Sequence, residues 1–149
     1  LHQPLLVRYP SSILAGSVHE SMVNHVDLAP TLLDFAGLAI PGDLQGCSLK
    51  PILEGKAEKV REVSYYHFYD HGERLPEMVG VRTDRYKIIH YPGMTKPYQW
   101  ELFDLKKDPD EIQNLYTNPE YRELMERMKL ELRKQIEALA DPVHLPALK

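Results

Sequence analysis

Gly80-Val81-Arg82-Thr83-Asp84-Arg85-Tyr86-Lys87-Ile88-Ile89-His90-Tyr91, followed by Trp100-Glu101-Leu102-Phe103-Asp104-Leu105-Lys106-Lys107-Asp108-Pro109-Asp110-Glu111 and Asn114-Leu115-Tyr116, decides how this chain folds. Val81 and the run Tyr86 to Tyr91 are β-branched and aromatic, as half-buried strands are. Thr83-Asp84 between them is turn chemistry, because a short side-chain oxygen bonds nearby backbone. Asp108-Pro109 stops the strand that begins near Gln99, since proline has no N–H for a ladder.

Working outward, the pattern predicts strands at Val63 to Tyr69, Met78 to Arg82, Tyr86 to Tyr91 and Gln99 to Leu105. Short turns between consecutive strands favour an antiparallel sheet. Beyond it, Asn118 caps a predicted helix with Pro119 at its first position. Tyr121, Leu124, Met125, Met128, Leu132, Ile136 and Leu139 fall on one face, and Arg122, Glu123, Glu126, Arg127, Lys134 and Glu137 on the other. A helix of this kind needs a partner surface, and the preceding sheet is the nearest one. Asp141-Pro142 ends it.

Towards the N-terminus, Leu5 to Tyr9 reads as a short buried strand ended by Pro10, and Met22 to Val26 as a second candidate. Asp27 reads as a helix N-cap rather than a metal ligand, with Leu28, Leu32, Phe35 and Ala36 at helical spacing and Gly37 at the C-terminal cap. Residues 39–55 read as loop, with Cys47 a small loop residue, and the charged stretch Glu54 to Glu62 as a boundary. The expected division is 1–56 and 57–149.

The 149 residues carry a net charge of −4, which gives no electrostatic case for nucleic acid. No apolar run approaches the roughly 18 residues that span a bilayer. With one cysteine, the chain cannot form an internal disulfide, and redox compartment stays open.

The strand–turn–strand stretch resembles the C-terminal signature of the type I sulfatases, G-V-R-T-x-R-Y-K-x-I, E-L-[FY]-D-L-x-x-D-P-x-E and N-L-Y. Pro4 to Pro10 is similar to the strand after that family's active-site lysine segment. Val26-Asp27-Leu28-Ala29-Pro30-Thr31-Leu32-Leu33-Asp34-Phe35-Ala36-Gly37 resembles its V-D-x-x-P-T-L-L-x-x-A-G helix, and Gly46-Cys47-Ser48-Leu49-Lys50-Pro51-Ile52-Leu53 its G-x-S-L-x-P-x-L loop. The resemblance implies an α/β fold of the alkaline-phosphatase-like superfamily, α+β in its C-terminal part. The last strand and helix of the large domain would come first, then a small four-stranded antiparallel sheet packed on a long C-terminal helix.

The same resemblance implies a sulfatase that hydrolyses a sulfate ester, on a carbohydrate, using calcium and a formylglycine made from a C/S-x-P-x-R motif. That motif does not occur here: Cys47 is followed by Ser48-Leu49-Lys50-Pro51. The chain, which starts at Leu1, reads as a C-terminal fragment that is inactive alone and binds no cofactor. Its expected partners are a sulfated carbohydrate or other sulfate ester and the rest of the sulfatase α/β domain. The family habit implies the bacterial periplasm, cell surface or secretion, or the lysosome in animals. Two other readings stay open: a phosphatase or phosphonate hydrolase sibling on the same fold, and a non-catalytic module binding a glycan or a protein.

His67, Tyr69, His71 and Arg74 are the candidate substrate-binding residues. Strand alternation puts Tyr65, His67 and Tyr69 on one face and Tyr66 and Phe68 on the other. His and Arg can donate to sulfate or hydroxyls, and a Tyr ring can pack on a sugar. The resemblance places this segment at the pocket rim, where it helps select substrate. Some sugar sulfatases with a similar Y-Y-H-[FY]-Y segment have a histidine two places before the Gly-Val-Arg; here Met78 holds that place and Glu77 precedes it. A metal site from His67, His71, Asp70 and Glu73 is disfavoured, because paired histidines at that spacing suit a helix rather than a strand. Arg82, Arg85 and Lys87 read as solvated charges, one pairing with Asp104 or Asp108.

Overall fold

The computed structural model describes residues 3–69, 76–143 and 145. The chain divides into two compact units, residues 1–62 and 63–149.

In the first unit a single 3-10 turn, His25–Asp27, leads into α1, Leu28–Phe35, and a short helix α2 spans Lys50–Leu53. Gly37, at φ 70°, closes α1 in the left-handed region that glycine enters without a Cβ clash. The two expected strands do not form: Leu5 to Tyr9 and Met22 to Val26 enter no ladder, and Leu6 is 96% exposed. A strand exists only against a neighbour, and the described residues of this unit contain none.

What organises the unit is an interlock between the start of α1 and the loop before α2. Asp27 is fully buried. Its carboxylate does not cap α1. It reaches back to the Asn24 N–H (2.7 Å) and across to the Cys47 N–H (3.0 Å), and it pairs with the Arg61 guanidinium. Thr31 donates its hydroxyl to the Asp27 carbonyl at 2.6 Å and accepts from the Leu49 N–H at 2.8 Å. Gly46 has to be glycine, because a Cβ there would lie 1.9 Å from the Val26 carbonyl oxygen. Lys50 then binds Asp34 at 3.0 Å. The two N-terminal motifs are thus the two halves of one joint.

The second unit is an antiparallel meander, β1 Ser64–Phe68, β2 Met78–Arg82, β3 Tyr86–His90 and β4 Trp100–Asp104, in the order β1-β2-β3-β4. Each expected strand forms to within one residue at either end. The register pairs Tyr65 and His67 with Val81 and Val79, Val81 with Ile88, and Ile88 with Leu102. These residues share one face, which carries the long helix α3, Arg122–Ala138. Val79, Val81, Ile88, Trp100 and Leu102 pack against Met128, Leu132 and Ile136, all buried. Each such aliphatic side chain contributes about 1.5–3 kcal/mol by leaving water. The Asn118 carboxamide accepts from the Glu120 N–H at 3.0 Å, with Pro119 opening the first turn, as the sequence implies.

The signature residues are mostly spent on holding this sheet. Thr83 Oγ1 accepts from the Tyr86 N–H at 2.9 Å and closes the β2–β3 turn. Arg85 grips the buried Asp104 through Nε (3.1 Å) and Nη2 (2.8 Å). The Asp108 carboxylate accepts from the Ile112 and Gln113 amides at 3.1 and 2.8 Å, turning the chain after β4, and Lys87 pairs with Glu111. Asn114 donates to the Trp100 carbonyl and accepts from the Leu102 and Tyr116 amides, stitching the returning chain to β4. A Cβ on Gly80 would lie 2.5 Å from the Ile88 carbonyl oxygen and 2.7 Å from the Tyr66 hydroxyl. Arg85 therefore provides the ion pair with Asp104 that the sequence suggests.

Candidate functional site

The candidate residues lie at the end of β1. Alternation along Ser64–Phe68 sends His67 to the helix-bearing face, beside the point where α3 ends. The side chain is only 4% exposed. Both ring nitrogens face carboxylates: Nδ1 lies 2.8 Å from Asp141 and Nε2 lies 2.9 Å from Glu77. Asp141 follows the α3 C-terminus, with Ala140 at φ 50° making the turn. Its carboxylate also accepts from the Val143 N–H at 3.0 Å. Burial pushes the Asp141 carboxyl up, but the hydrogen bonds from His67 and the Val143 amide outweigh this and hold it below the ordinary carboxylate value.

Tyr69 is half exposed and stacks on His67, with ring centroids 3.9 Å apart. The structure thus joins two of the sequence-predicted residues and gives them different parts. His67 is a buried link between β1, the approach to β2 and the end of α3. Tyr69 is the ring that meets solvent. His71 and Arg74 lie outside the described residues. Asp141 was not singled out for this site by sequence, since nothing local ties it to a residue 74 positions earlier. Glu77 stands where the Gly-Val-Arg motif is approached, and its part is to face His67.

Other titratable groups serve the fold. His90 is buried against Trp100, centroids 4.2 Å apart, and burial pushes its pKa down. Lys129 lies 5.1 Å from the ring centroids of both Trp100 and Tyr116. Cys47 Sγ sits 3.1 Å from Arg61 and 3.7 Å from Asp27, inside the N-terminal joint. Among the described residues no three His, Cys, Asp or Glu side chains converge as metal ligands. The described residues therefore do not supply the ligand set for the calcium that the sulfatase resemblance implies for the parent enzyme. Among the described residues no helix is long and apolar enough to cross a membrane.

The N-sulphoglucosamine sulphohydrolase C-terminal family model matches residues 1–138. An N-acetylglucosamine-6-O-sulfatase of Bacteroides thetaiotaomicron is 40% identical over 141 residues, covering 89% of this chain and 25% of the relative. A delta 4,5-hexuronate-2-O-sulfatase of the same organism is 39% identical over 103 residues, 67% of this chain and 21% of the relative. A protein solved in complex with its substrate, D-glucosamine-2-N,6-O-disulfate, superposes with a TM-score of 0.82 at 36% identity, covering 91% of this chain and 28% of that one. The chain therefore spans about a quarter of the length of these curated relatives. The match runs through both the N-terminal joint and the sheet with its helix, and the chain belongs to the N-sulphoglucosamine sulphohydrolase C-terminal family.

Proposed function

We propose that this chain is the C-terminal part of a carbohydrate sulfatase, an enzyme that hydrolyses a sulfate ester on a sugar. The observation that carries the reading is the likeness, at a TM-score of 0.82, to a protein solved with a disulfated glucosamine bound. Relatives named as sugar sulfatases support it. Calcium and a formylglycine nucleophile belong to the proposal as groups supplied by the rest of the enzyme. When bound, they would provide the nucleophile and the positive charge that stabilises negative charge developing on the sulfuryl group as the sugar oxygen leaves.

The part of this chain is closure of the fold and shaping of the pocket rim. Tyr69 offers a ring face to the sugar, and His67 fixes that ring while Asp141 and Glu77 fix His67. His71 and Arg74, which lie outside the described residues, are proposed from the sequence as further sulfate or hydroxyl donors. The rest of the α/β domain is the proposed partner of the first unit, whose α1 leaves Leu32 70% exposed. A helix with an uncovered apolar face normally buries it.

The test is sulfate release by the full-length enzyme from 6-O-sulfated N-acetylglucosamine and from a 2-O-sulfated hexuronate disaccharide. Turnover of a sulfated sugar supports the reading, and turnover of a phosphonate or phosphate ester without it overturns the reading. The 149-residue chain alone should release no sulfate. Turnover that survives repurification would place the catalytic groups in this chain.

A further inference from the structure

The β3–β4 hairpin encloses a second feature, separate from the end of β1. Antiparallel order places the 91–99 loop at the same end of the sheet as the end of β1. The loop is fixed by its own backbone: the Tyr91 N–H donates to the Gln99 carbonyl at 3.0 Å, Met94 to Tyr91 at 3.1 Å, and Tyr98 to Thr95 at 3.1 Å. Beneath it lies an open hollow of about 560 Å³ lined by Tyr91, Met94, Pro97, Tyr98, Glu101 and Asn114. That is within the range, about 300–1,000 Å³, in which proteins hold small ligands.

The chemistry of the lining is selective. Tyr98 is 74% exposed. Its ring supplies an apolar wall for the C–H face of a sugar. Glu101 is on the sheet face away from α3, since its neighbours Trp100 and Leu102 point into the helix-packed core. The Tyr91 hydroxyl donates to Glu101 Oε2 at 2.8 Å and so orients the carboxylate. Glu101 Oε1 takes no hydrogen bond from the described residues. A carboxylate accepts from hydroxyl, amide or ammonium groups and repels a sulfate. Asn114 spends its side-chain atoms on the backbone and acts as a wall.

We infer that the hollow between Tyr98 and Glu101 is a subsite for an unsulfated hexose or hexosamine residue of a longer glycan. Tyr98 packs on the ring, and Glu101 accepts from its hydroxyl or amide groups. The inference rests on the carbohydrate reading above and adds a preference for a sugar without sulfate at this position.

The probe is chitobiose, an unsulfated N-acetylglucosamine disaccharide, titrated into the 149-residue chain and followed by amide NMR. Perturbations should centre on residues 91–101. Tyr98→Ala and Glu101→Gln should each weaken the response about tenfold, the scale of one stacked ring or one charge-assisted hydrogen bond. A sulfated disaccharide should perturb this hollow less than chitobiose does. Tyr98 is exposed, so its variant keeps the wild-type fold, which the same spectra verify; Glu101→Gln keeps size and shape. No perturbation at 91–101, perturbation unchanged in both variants, or tighter binding of the sulfated sugar there overturns the subsite. Chitobiose binding here without sulfate release by the full-length enzyme would sink the sulfatase reading alone. Sulfate release with an inert hollow would sink the subsite alone.

Discussion

The imidazole of His67 lies against the ring of Tyr69, centroids 3.9 Å apart and planes 26° from parallel, while both of its nitrogens face carboxylates. Neighbours two positions apart on a strand face ordinarily stand side by side. Here the histidine is held from below by Asp141 and Glu77, and the tyrosine lies over it. The pair makes the end of β1 depend on the end of α3, although 74 residues separate His67 from Asp141.

One expected outcome concerns stability. His67→Ala leaves Asp141, only 7% exposed, without its principal partner. A buried acceptor stripped of a charge-assisted partner costs about 1–3 kcal/mol. Glu77 is 33% exposed, and water can replace what Glu77→Gln removes. Denaturant melts of the chain should show the first change costing clearly more than the second. Equal small costs would mean that the contact does not tie strand to helix.

A second outcome concerns the full-length enzyme. Tyr69→Ala should lower kcat/KM for the natural sulfated sugar by about tenfold, from the loss of one ring contact, and leave a small aryl sulfate nearly unchanged. The reason is reach: an aryl sulfate lacks the sugar that the ring would meet. Equal losses on both substrates would move Tyr69 into the catalytic centre. No loss on either would reduce it to surface.

Alternation and turn chemistry made the sheet legible, because Tyr86 to His90 and Trp100 to Asp104 satisfy strand propensity and register together. The helix was legible through the spacing of Met128, Leu132 and Ile136. Alternation also grouped Tyr65, His67 and Tyr69, but it cannot say which face a helix will cover. That face proved to be theirs, which is why His67 is buried. Leu5 to Tyr9 has strand composition and no ladder, since pairing is a property of two segments and composition of one. Glu101 passed as a signature residue because a sequence does not show that the loop before it curls into a hollow.

The third outcome tests the docking of α3. Leu132 is fully buried in the core, whereas the Lys134 side chain is 61% exposed. Leu132→Asp places an unpaired charge among Val, Ile and Leu side chains and should cost at least about 3 kcal/mol. Lys134→Asp removes only a surface contact with Glu131 and should stay within about 0.5 kcal/mol. Similar small shifts in melting temperature from both would mean that the helix is undocked.

The fourth concerns the N-terminal joint. Asp27 is fully buried and the Arg61 side chain is 15% exposed. Arg61→Met strands a buried carboxylate and should cost about 3–5 kcal/mol within residues 1–62. Hydrogen exchange reads it locally: the Cys47 and Leu49 amides, bonded to Asp27 and Thr31, should lose protection while the β2 and β3 amides keep theirs. Gly46→Ala, whose Cβ would meet the Val26 carbonyl, should produce the same local pattern. Loss of protection throughout the chain would show that the two units unfold as one.

The last concerns acid. The Arg85 guanidinium holds the Asp104 carboxyl below its ordinary value of 3.8, outweighing the burial that pushes it up. A carboxyl lowered in the folded state binds fewer protons than in the unfolded chain, so the unfolded state is favoured as protons are added. The stability from this pair is therefore fully present above the ordinary carboxylate range. It is lost as pH falls below about 4, through the lowered folded value. Asp141, lowered in the same direction, adds to the same acid limb. Asp104→Asn should destabilise the chain at pH 7 and flatten part of the decline in melting temperature between pH 5 and pH 2. Asp110→Asn, on an exposed residue after β4, should leave stability at pH 7 unchanged. An acid limb of unaltered steepness in Asp104→Asn would show that the Arg85 pair contributes nothing to the pH dependence of folding.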